Sequence, residues 1–296
     1  MHNRKFFSRI SIITRDFDLK NNNLNICTIQ AGFARGRLQD NFNTLRALIS
    51  QASAEQKPDL IILPENFVMT GSGPKRTTDP RPYLEFLTDL AAENNAFLIG
   101  GSFHRLDKPS GHTYNSCFIF DRSGKIIGEY RKRKLFDREI HDGVTPGEKI
   151  TVFDLDGWKI GVLICADLWY PELCRELAGQ IDILGVPAQS VVRNPAYQAY
   201  GRKLWHALAL TRSQENSLVV AVADHAVGEN TPLACGGASL CDPSASLSEN
   251  TINLIQIYLE NGASGFINAA VDKNSLDTFR KYRQQRGLLP NDKVEI

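Results

Sequence analysis

The chain has 296 residues, 42% of them apolar and 23% charged, with a formal net charge of +1. That length suits one large α/β domain or two small ones, and the near-zero charge argues against any overall pull toward nucleic acid or membrane. No apolar run approaches the ~20 residues of a membrane helix. The basic N-terminus lacks the apolar core and small-residue cleavage site of a signal peptide. The cysteines Cys27, Cys117, Cys165, Cys174, Cys235 and Cys241 contain no C-x-x-C pair and fit no zinc framework. They point to free thiols in a reducing compartment, and we read the chain as cytoplasmic.

Residues 1–23, ending in Lys20-Asn21-Asn22-Asn23, read as an irregular leader. Residues 24–296 read as a single domain with a C-terminal arm. Alternation predicts a first strand over 24–30, and Phe42, Leu45, Leu48 and Ile49 have the spacing of an amphipathic helix over 38–56. Pro58-Asp59 resets the chain. Leu60-Ile61-Ile62-Leu63 is then uniformly apolar, as a strand covered on both faces requires. Glu65 follows directly, at the rim where layered α/β folds collect functional groups. A loop over 71–82, rich in glycine, proline and threonine, is a candidate lid. A helix over 83–94 follows, then strands over 96–103, 114–120 and 125–132. The last two are joined by the hairpin turn Asp121-Arg122-Ser123-Gly124.

The run Arg131-Lys132-Arg133-Lys134 reads first as a solvated face. Strand alternation puts Tyr130, Lys132 and Lys134 on one side, so spacing alone leaves either lysine as the inward-facing ammonium. A loop with Glu139, His141, Asp142 and Pro146-Gly147 leads to a strand near 150–153 and a turn at Asp156-Gly157. The next apolar run, 160–164, rises to Cys165. Pro171 and Glu172 then suit the first turn of a helix. Taken alone, Cys165 is a small buried hydrophobe. Strand, sharp turn and helix, however, is the geometry that lifts a nucleophile out of a sheet and turns the following N–H groups toward an oxyanion. The remainder reads as strands over 181–186, 217–223, 236–240 and 252–258, a long helix over 197–216, and a basic helix or arm over 275–286. This order favours an α/β fold with helices on sheet faces.

A cysteine, a glutamate and a lysine suit one chemistry together. The glutamate takes the thiol proton as general base. The ammonium favours the thiolate and then stabilises a tetrahedral oxyanion.

On these residues the sequence resembles the carbon–nitrogen hydrolase (nitrilase-like) superfamily, in its amidase or carbamoylase-type branch. The motifs are Leu63-Pro64-Glu65, then Tyr130-Arg131-Lys132 with Leu135-Phe136-Asp137, then Ile164-Cys165-Ala166-Asp167 with Tyr170-Pro171-Glu172 and Arg175-Glu176-Leu177-Ala178. Trp205, Leu208, Arg212, Glu215 and Asn216 match a later helix. Gly237, Ser239, Asp242 and Pro243 match a late strand and turn. The resemblance implies a four-layer α-β-β-α sandwich. It implies Glu65 as base, Lys132 rather than Lys134 as oxyanion stabiliser, Cys165 as nucleophile and the Ala166 N–H as an oxyanion donor. Glu139 is the nearest match to a second, assisting glutamate, about one residue off the usual distance to Pro146-Gly147. Lys134 and Tyr170 are candidates for substrate contact, with a structural carboxylate the preferred partner for Lys134.

The resemblance implies no metal and no organic cofactor. It implies a small amide or ureido substrate and a homodimer or larger homo-oligomer, with no nucleic acid or membrane partner. Cys-Ala-Asp differs from the Cys-Trp-Glu of true nitrilases, which favours small linear amides or N-carbamoyl amines over nitriles. Nitrile hydrolysis, acyl transfer on the same triad, and a catalytically silent scaffold or redox-sensing member are the alternatives.

Overall fold

The computed structural model describes residues 22–68 and 79–289, together with the backbone of Ile12–Ile13. The candidate lid up to residue 78 and most of the leader lie outside the described residues.

Two sheets face each other. In the first, Asn23–Ala31, Leu60–Ile62 and Phe97–Ile99 run parallel, and His112–Phe120, Phe103–Asp107 and Ile126–Arg131 extend them with antiparallel pairing. In the second, Trp158–Val162, Ile183–Pro187 and Val219–His225 run parallel. Val152–Leu155 pairs antiparallel on one side, and Ser239–Cys241 with Gln256–Tyr258 on the other. The sheets join where Asp224 and His225 pair with Gln30 and Ala31. Helices Leu38–Glu55 and Arg81–Asn94 cover the first sheet, while Pro171–Leu177 and Gln198–Asn216 cover the second. The result is a four-layer α-β-β-α sandwich.

The uniformly apolar run over 60–63 follows from this layering. Leu60 and Ile62 pack with Ile99, Ile160 and Ile183 between the sheets, while Ile61 and Leu63 pack with Leu45, Phe86 and Leu87 beneath the helices. A period of two with both faces covered leaves no position for a polar residue. Gly185 faces the other sheet, where a Cβ would run into the Ile99 side chain.

The structure adds detail to the expected elements at four places. The strand expected over 96–103 is two strands, Phe97–Ile99 and Phe103–Asp107. Between them Gly101 has φ +65°, and a Cβ there would strike the Pro64 carbonyl, so the break lets the Glu65 loop pass close by. Gly265–Asp272 is a strand paired along its whole length with Asn23–Ala31. Its Gly, Asn and Ala content hides the alternation that marks other strands. Within the expected irregular leader, Ile12 and Ile13 pair in parallel with Val152 and Phe153. Where the sequence predicts a basic helix or arm, Lys273–Gln284 is a helix, and Asp182 forms ion pairs with its Lys273 Nζ and Arg280 Nη1, both at 2.7 Å.

Candidate active site

The carboxyl ends of the parallel strands converge on one cavity of about 1150 Å³, lined among others by Glu65, Asn115, Lys132, Glu139, Cys165 and His225. Glu65 sits three residues beyond Leu60–Ile62, tied back by its N–H to the Ala188 carbonyl at 3.2 Å. Lys132 follows the end of Ile126–Arg131. Its N–H donates to the Asn115 carbonyl at 2.9 Å, and its carbonyl accepts the Gly147 N–H at 2.7 Å. A Cβ on Gly147 would strike the Arg131 carbonyl, which accounts for the Pro146-Gly147 turn beside the lysine.

Lys132 Nζ lies 2.8 Å from Glu65 Oε1 and 2.8 Å from Glu139 Oε2, and the lysine is 2% exposed. Burial opposes its charge, but Glu65, Cys165 and Glu139 outweigh it and raise the ammonium above the ordinary lysine range. Asn115 Nδ2 donates to both carboxylates, at 2.9 Å to Glu65 Oε1 and 2.6 Å to Glu139 Oε1. Glu139 also meets His104 Nε2 at 3.3 Å and accepts the Phe136 N–H at 3.0 Å. Burial would raise the Glu139 carboxyl, but His104, Lys132 and Asn115 together hold it well below its usual value. Glu139 is therefore an anion held against the lysine, sharing both Lys132 and Asn115 with Glu65.

Cys165 stands at φ +46°, a left-handed turn that a cysteine rarely adopts, between Trp158–Val162 and the tight helical turn Cys165–Trp169. Its Sγ reaches the Gln189 carbonyl at 3.8 Å. Burial and then the Glu65 charge push the thiol up, and Lys132 pulls it back only in part. Burial thus favours the protonated form of the sulfur at rest. The Ala166 N–H opens the turn, where the first donors have no acceptor within the turn itself. The other five cysteines are free and buried; burial pushes Cys27, Cys174 and Cys241 up to about 12 and Cys235 to about 11.

Asp167 joins the cysteine turn to the lysine strand. It accepts the N–H groups of Ile164 at 3.0 Å, Arg133 at 3.2 Å and Lys134 at 2.7 Å, and the Tyr130 hydroxyl at 2.8 Å. Burial pushes its carboxyl up to about 6, with these donors opposing.

The structure thus brings Glu65, Lys132, Glu139 and Cys165 to one cavity, with Ala166 following Cys165 in its turn. It does not bring Lys134 and Tyr170 to them. Lys134 Nζ sits 4.4 Å over the Tyr170 ring and 3.5 Å from Glu172, outside the cavity lining. The expected alternation fails because pairing stops at Arg131, and the chain then bends to meet Asp167.

Asn115, His104, Gln189 and His225 were not among the candidate site residues, and Asp167 entered only as part of the cysteine motif. His225 carried a usable signal: Asp224-His225 ends an otherwise apolar strand, just as Glu65 and Cys165 follow theirs. Asn115 and His104 gave no such signal: the Asn115 strand opens on His112-Thr113-Tyr114, and only its end, Cys117–Phe120, is apolar.

The carbon–nitrogen hydrolase family pattern matches residues 26–255. Omega-amidase NIT3 of Saccharomyces cerevisiae is 31% identical over 232 residues, covering 70% of this chain and 76% of that protein. Deaminated glutathione amidase of Dictyostelium discoideum is 32% identical over 227 residues, covering 69% and 76%. Nitrilase homolog 2 of the same organism is 31% identical over 205 residues; the match spans 63% of this chain and 59% of that protein. Among solved structures, S. cerevisiae Nit3 superposes with a TM-score of 0.76 at 24% identity, covering 93% of this chain and 97% of that one. An amidase from Nesterenkonia sp. superposes with a TM-score of 0.67 at 20% identity, covering 90% and 96%. The motifs, the fold and these matches agree: the chain belongs to the carbon–nitrogen hydrolase family and is an enzyme of that class.

Proposed function

We propose that the chain is an amidase that hydrolyses a small linear amide bearing a carboxylate, through a thioester on Cys165. The observation that carries this reading is Lys132 Nζ held 2.8 Å from each of two buried carboxylates in the cavity that Cys165 lines. Glu65 takes the thiol proton as Cys165 Sγ attacks the amide carbon. The transfer moves a proton between two groups of one site, so it adds no net charge to a buried region. The Lys132 ammonium and the Ala166 N–H receive the oxyanion. The tetrahedral species collapses, the C–N bond breaks, and Glu65 returns its proton to the departing nitrogen, releasing ammonia. Water then attacks the thioester, giving its proton to Glu65. The acid leaves and the thiol is restored. Glu139 and Asn115 keep the lysine and Glu65 in place, and the ionised Glu139 keeps Lys132 charged.

The carboxylate on the substrate is supported by the rest of the cavity. Outside Glu65, Lys132 and Glu139, its charged lining is Arg35, Arg138 and Arg193 against Asp137. These arginines are exposed and make no ion pair among the described residues. An excess of cations over anions around the outer cavity favours an anionic substrate. Relatives named as amidases favour an amide over a nitrile. The test is ammonia release from a panel of short amides, ureido acids and nitriles, each with and without a terminal carboxylate. Turnover of carboxylated amides, with KM raised at least about tenfold in Arg138→Ala or Arg193→Ala, supports the reading. Equal turnover of neutral amides, unaffected by either variant, would overturn the carboxylate assignment.

A further inference from the structure

His225 makes a contact that the proposed chemistry does not use. Its Nε2 donates to the backbone carbonyl of Glu65 at 2.7 Å. The ring is fully buried, and Phe33 packs edge-on against it at 4.9 Å. Its Nδ1 is buried with no hydrogen-bond partner. A buried ring with one nitrogen unsatisfied is poor core filling, since an apolar side chain would avoid that loss. What the ring supplies is a single donor, aimed at the residue proposed as base.

The Glu65 loop depends on that donor. Asn66 follows at φ +53°, and its N–H donates to Ser102 at 2.7 Å. Asn66 Nδ2 reaches Gln189 Oε1 at 3.3 Å. The left-handed turn after Glu65 and the His225 bond to its carbonyl together set the direction in which the carboxylate leaves the backbone. Asp224 then fixes His225 in turn. It accepts the N–H groups of Ser190 and His225, both at 2.8 Å, and of Gly237 at 2.6 Å, as well as the Ser190 hydroxyl. Ser190 follows Gln189, whose carbonyl touches the Cys165 sulfur. The dipeptide Asp224-His225 therefore braces the Glu65 loop with one residue and the chain against Cys165 with the other.

We infer that His225 is a positioning residue: its Nε2–H, through the Glu65 carbonyl, holds the Glu65 carboxylate in the orientation that accepts the Cys165 proton. The inference rests on the reading of Glu65 as base. Burial lowers the imidazole to about 4, so the ring stays neutral and its single donor stays on Nε2 throughout the neutral range.

The test compares His225→Leu, His225→Gln and Glu65→Gln with the unaltered chain. Two readouts are used: kcat and KM on a carboxylated amide, and the rate at which iodoacetamide alkylates Cys165, followed by peptide mass. Leucine removes the donor, while glutamine restores an amide donor at similar reach. We expect His225→Leu to lose at least about tenfold in both kcat and alkylation rate with KM within about twofold, and His225→Gln to recover most of both. A folded His225→Leu with unaltered rates would overturn the inference. Equal loss in His225→Gln and His225→Leu would do the same, because the donor would then not be what matters. Should His225→Leu fail to fold, His225→Gln decides alone: near-normal rates support the inference, and a tenfold loss overturns it. Glu65→Gln tests the underlying reading separately, since alkylation of Cys165 at the unaltered rate in that variant removes Glu65 as base.

Discussion

Lys132 and Lys134 are two residues apart and share a residue type, yet they occupy opposite environments. Lys132 is 2% exposed, with an oxygen of each of two carboxylates at 2.8 Å. Lys134 has its side chain 36% exposed, resting on Tyr170 with Glu172 at 3.5 Å. A buried ammonium between two fixed anions is electrostatically strong and costly to disturb, while a solvated one contributes little. The difference shows that chemistry here is set by what closes around a charge, and the closing groups come from four separate stretches of chain.

The comparison can be broken at the sulfur first. Cys165→Ala should lower kcat by at least ~10⁴-fold while leaving the melting temperature nearly unchanged, as scanning calorimetry and ammonia assay would show. Appreciable turnover in that variant would mean the buried constellation serves something other than thioester chemistry. Lys132→Met should follow, with kcat lowered by about 10²–10³-fold and stability by about 3–5 kcal/mol in urea, because Glu65 and Glu139 would face each other without a cation. An active, stable Lys132→Met would erase the contrast.

Glu139→Gln sharpens the comparison through pH. The folded Glu139 carboxyl lies below its unfolded value. Its contribution is therefore present above the ordinary glutamate range and is lost as pH falls through the depressed folded value. The variant should be less stable at pH 7 and show a shallower loss of stability between about pH 4 and pH 2, measured by thermal melts across pH. An unchanged acid limb would show that Glu139 is not held as an anion. The smallest effect belongs to Lys134→Ala: activity within about twofold and stability within about 0.5 kcal/mol. A large loss there would move substrate contact back to Lys134.

Much of this was legible in the sequence where a regular period met an abrupt chemical change. The buried strand before Glu65 and the strand before Cys165 are short apolar runs that end on a reactive residue, and layered folds place such ends together. The lysine was ambiguous because period two holds only while pairing lasts, and pairing ends at Arg131. The Gly265–Asp272 strand was invisible because small residues beside the first strand satisfy backbone pairing without an apolar pattern. Asn115 and His104 were illegible for a different reason. Their role is to meet Glu139 and Glu65 from strands distant in sequence, and no local spacing records such a meeting.

The most direct test of the central claim is intact-protein mass spectrometry of the enzyme quenched in acid within its first turnovers on a carboxylated amide. The expected result is an adduct equal to the amide minus ammonia, mapped to the Cys165 peptide and absent in Cys165→Ala. Ammonia release with no adduct on Cys165, and with activity retained in Cys165→Ala, would contradict the account.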